Sequence, residues 1–213
     1  MQFDQLTIII VTFKSEEKIY SCLNTIPNQV NVIIVENSNN QNFKENIERK
    51  YSNVKCLLTG NNIGYATANN IGLRQVNTKF ALILNPDTSL KEDTIKNFFV
   101  CVEKVPDFWL IGPGNNQSKN ISFDRSLIQD VNNLKGFGVF LNVEKFKKEF
   151  FDENYFLYFE EIDLCKKVKK KGGKIYLSKN IIINHDSASS VNKDNVIELE
   201  KNRNWHWMWS KIG

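Results

Sequence analysis

The first apolar run of this chain, Leu6 to Phe13, is followed by no Gly-x-Gly-x-x-Gly and no Gly-rich lysine loop. The usual nicotinamide and P-loop fingerprints are therefore missing, which argues against a dehydrogenase or an NTPase. No Cys-x-x-Cys pair occurs either: Cys22, Cys56, Cys101 and Cys165 stand far apart in apolar or amphipathic stretches. They read as reduced packing residues rather than metal or dithiol ligands. Leu6 to Phe13 is far too short to cross a bilayer and no cationic leader precedes it, so the protein is expected in the cytoplasm. A strong charge of one sign is absent as well. The net charge of +4 over 213 residues is too small to imply a nucleic-acid partner. What remains is an ordinary globular composition, long enough for one substantial core.

Four short runs rich in β-branched residues carry that core: Leu6 to Phe13, Asn31 to Glu36, Val54 to Leu58 and Phe80 to Leu84. Nearly continuous apolar runs of this length are how strands buried on both faces read. Between them, Ser15 to Thr25, Gln41 to Tyr51 and Gly64 to Val76 have helical length and periodicity. Strand alternating with helix predicts a mostly parallel sheet with helices on both faces. A helix is expected from Lys91 to Val105, stopped by Pro106, and another apolar run from Phe108 to Ile111. Regularity then ends. The polar cluster from Asn115 to Asn120 suggests a surface loop, "LKGFGVFL" a further strand, and the second half is mixed rather than βαβ.

Ligands of open parallel sheets bind beyond the carboxyl ends of the strands. The residues to inspect are therefore Thr12, Phe13 and Lys14, then Glu36 to Ser38, Gly60 to Gly64, and Asn85 to Thr88. Gly64 opens a helix whose first N–H groups offer themselves to a phosphate, although glycine near a helix start has other uses. Asp87 is a candidate cation ligand, because Mg²⁺ takes one or two carboxylates and lets substrate phosphates complete its shell. Asp87 or Thr88 can equally cap the helix that follows.

A second acidic group opens an amphipathic helix in "YFLYFEEIDLCKKVKKKGGK". Glu160, Glu161 and Asp163 at its start and lysines towards its end suit the helix dipole without any further role. The aromatic approach, Tyr155, Phe156, Tyr158 and Phe159, would however desolvate a carboxylate and raise its pKa towards that of a useful base. His185, between Asn184 and Asp186, follows the apolar run Ile181 to Ile183 at a strand end, where an imidazole serves either as a metal ligand or as an ordinary hydrogen-bonded residue.

Taken in order, "IIIVTF", "VIIVENS", "NNIGYATANNIGL", "LILNPDT", "FDENYFLYFEEIDLCKKVKKKG" and "INHDSASS" resemble the inverting glycosyltransferases of family two, including rhamnosyltransferases, which have the GT-A fold. The resemblance runs from Leu6 to about Ser190. It implies that Thr12, Phe13, Glu36 and the Asn62 to Asn70 segment, with Asn62, Gly64 and Asn69, line a nucleotide-sugar pocket. It also implies that Asp87 is the acidic member of an Mg²⁺ or Mn²⁺ site approached by His185, and that the catalytic base lies in Glu160-Glu161. In its terms 1–112 is the donor half, 113–190 the acceptor and catalytic half, and 191–213 a C-terminal helix or tail of one glycosyltransferase domain.

The implied activity is sugar transfer from a nucleoside-diphosphate sugar to a hydroxyl on a glycan or lipid-linked acceptor, in bacterial surface polysaccharide or glycan synthesis. Three departures from the family pattern stand out. Glu36 and Glu161 replace the usual Asp, adding a methylene each, and Lys166 and Lys167 stand where Arg is common. They motivate an alternative, a non-catalytic nucleotide-sugar-binding domain. Trp205, Trp207 and Trp209, beside Arg203 and Lys211, suit either a peripheral contact at the inner face of the membrane or packing on the core or another subunit.

Overall fold

The computed structural model describes residues 2–114 and 127–186. The Asn115 to Asn120 cluster and the Trp205 to Trp209 segment fall outside the described residues.

The four expected inner strands form as β1 (Leu6–Thr12), β2 (Asn31–Glu36), β3 (Val54–Leu58) and β4 (Phe80–Leu84), joined by α1 (Glu16–Leu23), α2 (Gln41–Lys50) and α3 (Tyr65–Arg74). β1 is buried along its whole length, and its alternate residues serve two cores. Ile8 and Ile10 face Ile19, Phe43 and Ile47 of α1 and α2 on one side, while Ile9 and Val11 face Ala66 and Leu73 of α3 on the other. Fully burying such a side chain stabilises the fold by about 1.5–3 kcal/mol, so a strand apolar on both faces belongs in the middle. β1 accordingly pairs in parallel with both β2 and β4.

After β4 the chain makes a short strand, β5 (Thr88–Leu90), and only then a helix, α4 (Thr94–Lys104). The expected helix from Lys91 thus starts three residues late, because the Thr94 hydroxyl accepts from the Lys91 N–H (2.9 Å) and holds the chain outside the helix. β6 (Phe108–Pro113), β7 (Ile128–Asp130), β8 (Gly138–Asn142), α5 (Glu160–Lys170), β9 (Lys174–Ser178) and β10 (Ile183–His185) complete the described chain. The main sheet has the order β3-β2-β1-β4-β8-β6-β9-β7. β8 runs antiparallel to β4 and β6, and β7 antiparallel to β9. α1, α2 and α4 cover one face and α3 and α5 the other.

The reversal at β8 is held by aromatic packing across strands. Phe140 of β8 stacks on Phe98 of α4 at 4.7 Å and touches Phe80 of β4 and Phe108 of β6 at 5.3 and 5.9 Å. Such ring pairs add about 0.5–1.5 kcal/mol beyond their buried area. β5 and β10 pair apart from the main sheet, with His185 opposite Thr88.

Candidate active site

The chain runs outward from β1 through β2 to β3, then returns to β4 on the other side of β1. That reversal opens a crevice at the carboxyl ends of β1 and β4. Thr12 ends β1 there: it is buried, its Oγ1 has no partner among the described residues, and its carbonyl accepts from the Asn37 N–H at 2.7 Å. Phe13 follows at 36% exposure, with the Lys14 ammonium over its ring.

Glu36 ends β2 and is buried, its carboxylate folded back on its own loop. Ser38 Oγ donates to Oε1 (2.7 Å) and the Asn40 N–H to Oε2 (3.1 Å). The residue that ties this loop to the next is Asn37. Its Oδ1 accepts from the Ile63 N–H (3.0 Å) and its Nδ2 donates to Asn62 Oδ1 (2.9 Å).

The start of α3 departs from the expectation of open N–H groups. The Gly64 N–H donates to Asn62 Oδ1 (3.1 Å) and the Tyr65 N–H to the Phe156 carbonyl (2.5 Å). Gly64 has φ +88°, and a Cβ there would lie 2.8 Å from that same carbonyl oxygen. Glycine is thus required by the approach of the 155–159 segment. Asn69 is fully buried and donates to the Tyr65 carbonyl (3.0 Å) one turn back.

Asp87 lies just beyond β4, almost entirely buried. Neither of its carboxylate oxygens meets a hydrogen-bond donor among the described residues. His185 Nε2 sits 3.3 Å from Asp87 Oδ1 without forming a hydrogen bond, and Phe137 stacks on the imidazole at 4.8 Å. The β5–β10 pairing brings the two together, and the Asp186 N–H donates to the Asp87 carbonyl (3.0 Å). A buried carboxylate without donors is costly unless a positive charge faces it. Asp87 and His185 therefore fit a divalent cation. Among the described residues no three His, Cys, Asp or Glu side chains gather into a closed metal cage. The pair suits an ion whose remaining ligands come from substrate phosphates and water.

His185 also lines a cavity of about 500 Å³ shared with Glu160, Glu161, Tyr158, Lys135 and Asn85. Both glutamates stand at the first turn of α5. Burial raises the Glu161 carboxyl above its ordinary pKa, and the backbone N–H groups of Glu161 and Ile162 offset this in part. Tyr158 and Phe159, just before the helix, both have φ 69°. Non-glycine residues in the left-handed region cost on the order of 1–3 kcal/mol each, so this turn is held by its surroundings. The Tyr65 hydroxyl, also on this cavity, donates to Asn85 Oδ1 (2.9 Å).

Residues 7–163 match the family model described as Glycosyl transferase family 2. The chain belongs to that family. Low-salt glycan biosynthesis hexosyltransferase Agl10 of Haloferax volcanii is 23% identical over 195 residues, 79% of this chain and 62% of that protein. The chain thus spans a little over three-fifths of the length of this relative. Mannosyltransferase PcManGT from Pyrobaculum calidifontis, solved with GDP-Man and Mn²⁺, superposes with a TM-score of 0.69 at 14% identity, over 84% of this chain and 56% of that one. S. aureus TarS 1-349 with UDP gives 0.64 at 17% identity, over 83% and 58%. These likenesses show the expected GT-A fold, with its mixed, mostly parallel sheet.

Of the family-two pattern read from the sequence, His185, Glu160 and Glu161 line one cavity, and Asp87 lines an adjoining pocket of about 400 Å³ that shares His185 with it. Thr12 and Glu36 are the last residues of β1 and β2, Phe13, Asn62 and Gly64 belong to the loops after β1 and β3, and Asn69 lies in the interior of α3. Lys135, Tyr65 and Asn85 also line the cavity. Asn85 stood among the strand-end residues to inspect and Tyr65 within the Asn62 to Asn70 segment, whereas Lys135, a lysine in an irregular stretch, carried no signal.

Proposed function

We propose that this chain carries a metal-dependent inverting glycosyltransferase activity, moving a hexosyl or rhamnosyl group from a nucleoside-diphosphate sugar to a hydroxyl of a glycan or lipid-linked acceptor in bacterial surface polysaccharide or glycan synthesis. The observation that carries this reading is the placement of the donor-less Asp87 carboxylate against His185, the residue shared by the pocket that Asp87 lines and the cavity that Glu161 lines. Residues 1–112 serve the donor, with Thr12, Phe13, Glu36 and the Asn62 to Asn70 segment around the nucleotide, and 113–190 serve the acceptor and the catalytic step.

Asp87 and His185 would hold Mg²⁺ or Mn²⁺, which when bound supplies Lewis-acid stabilisation of the negative charge on the departing diphosphate. Glu161 takes the proton of the acceptor hydroxyl at its carboxylate as that oxygen bonds to the anomeric carbon. The bond from that carbon to the diphosphate breaks with inversion. Its desolvated carboxyl holds the proton more firmly than an exposed glutamate does, which suits a general base. Glu160, beside it at the helix start, adds negative charge that favours a cationic or protonated neighbour. A glycosidase would instead set two carboxyl groups across the scissile bond, one protonated, with no use for the Asp87–His185 pair.

A second reading draws on Glu36, whose carboxylate is engaged by Ser38 and Asn40: a non-catalytic nucleotide-sugar-binding domain. One experiment separates the two. Nucleotide sugars are screened with Mg²⁺ or Mn²⁺ for thermal stabilisation, which a ligand of the folded state produces, and then for transfer. Stabilisation with transfer, lost in Asp87→Ala and Glu161→Gln, supports the enzyme. Stabilisation without transfer to any acceptor selects the second reading, and normal turnover by both variants removes the mechanism.

A further inference from the structure

Tyr158 combines features that no packing role accounts for. Its backbone is held at φ 69°, where glycine would be unstrained, yet the residue is 47% exposed. Phe159 shares the same φ but packs its ring against the core that buries Leu164 and Val168, so its strain is matched by burial. Tyr158 instead lines the cavity of about 500 Å³ together with Glu161 and His185. Phe137 also lines it, but its face is already taken by the His185 ring at 4.8 Å. Tyr65, the third ring on this cavity, is less exposed and has its hydroxyl held by Asn85, so Tyr158 is the most open aromatic wall beside the glutamates.

We propose that Tyr158 is the platform on which the acceptor sugar stacks, which makes the acceptor a pyranoside rather than a flexible polyol or a protein hydroxyl. The inference rests on the reading of this cavity as the acceptor site. An aromatic ring has a negative face, and the C–H face of a pyranose is apolar and weakly positive, so the two attract while the sugar hydroxyls stay at the rim for polar groups. Lys135 and Glu160 supply such groups here. Burial, followed by the charge of Glu160, raises the Tyr158 phenol above its ordinary pKa and keeps it a neutral hydrogen-bond donor. A ring fixed at the lip of α5 would hold one sugar hydroxyl over Glu161 and limit the others.

The test uses the full chain, a nucleotide sugar that stabilises it, and methyl pyranosides or glycerol as acceptors, with released nucleoside diphosphate as readout. Tyr158→Gly removes the ring and relieves the backbone, so its melting temperature should equal or exceed that of the wild type. The expected result is an acceptor KM about tenfold higher or more, the loss of a contact worth one decade, with kcat changed by less than about threefold. Tyr158→Phe, which keeps the ring, should restore the KM to within about threefold. An unchanged KM in Tyr158→Gly, or a wild type that uses glycerol as well as any pyranoside, overturns this inference alone. A wild type that neither binds nor turns over any donor overturns the function reading, and the inference with it.

Discussion

The side-chain amide of Asn70 grips the backbone of Phe151 from both sides: Nδ2 donates to its carbonyl (2.9 Å) and Oδ1 accepts from its N–H (3.0 Å). Asn70 Nδ2 also reaches Glu153 Oε1 (2.9 Å), which Arg74 Nη2 holds at 2.6 Å. The clamp ties α3 to the segment that leads through Tyr155 and Phe156 to the glutamates of α5. Asn70 closes the Asn62 to Asn70 stretch read from the sequence, and its side chain faces that segment.

Asn70→Ala leaves two buried backbone groups of Phe151 without partners and should cost on the order of 2–4 kcal/mol, read as a shift in the urea midpoint. Arg74→Ala removes only an exposed pair and should cost under about 1 kcal/mol. Equal losses in the two variants would show that the amide clamp carries no special share.

Gly64→Ala and Gly60→Ala make a second contrast. Both glycines have positive φ, but an added methyl at Gly60 meets open space whereas at Gly64 it meets the Phe156 backbone at 2.8 Å. Alanine at Gly60 should cost about 1–2 kcal/mol, the left-handed penalty alone. At Gly64 the loss in thermal melts should be clearly larger, with a fall in turnover as the 156–161 turn is displaced.

Glu161→Gln should lower kcat by on the order of 10²–10⁴ while donor-dependent stabilisation persists, because a general base acts on the proton and not on the donor. Wild-type turnover should fall on the acid side with a midpoint above the ordinary glutamate value of 4.5, since burial raises this carboxyl and the base must be ionised.

The same shift has a stability consequence of fixed sign. A carboxyl whose folded-state pKa is raised favours folding when protonated, and that advantage disappears as pH rises through its folded-state pKa. At neutral pH Glu161→Gln should therefore be more stable than the wild type, and the gap should close as pH falls below 4.5, in denaturation curves taken across that range.

Thiol reagents should leave the native protein unmodified. Cys22, Cys56, Cys101 and Cys165 are buried and unbonded, and burial pushes Cys22 and Cys101 to about 11 and Cys56 and Cys165 to about 12. Thiolate is the reactive form, so labelling at neutral pH should await unfolding. Fast labelling of any one of them in the folded protein would contradict this packing.

The parallel half of the fold was legible because its strands are buried on both faces, and β2, β3 and β4 form at the expected residues while β1 ends one residue early. The strand at Lys174–Ser178 was not legible. It alternates lysine, isoleucine, tyrosine, leucine and serine beside a lysine-rich helix end, a pattern that a solvated loop shares. The three-residue strands β5, β7 and β10 are too short for any periodicity and exist only through their partners.

For the site, Asp87 and the Glu160-Glu161 pair stood out because the proline before one and the aromatic approach to the other are local features. Their convergence followed only from the family resemblance and from no local pattern. By itself the sequence determined the alternation of strand and helix, the both-sided burial of β1 and the acidic start of α5, since these follow from side-chain period and composition over a few turns. Tertiary structure alone decided that β10 would pair with β5, that Asn70 would face Phe151, and that Tyr158 would stay open beside Glu161. Each depends on pairing or packing between segments far apart in the chain, and no local pattern encodes which distant backbone group will arrive.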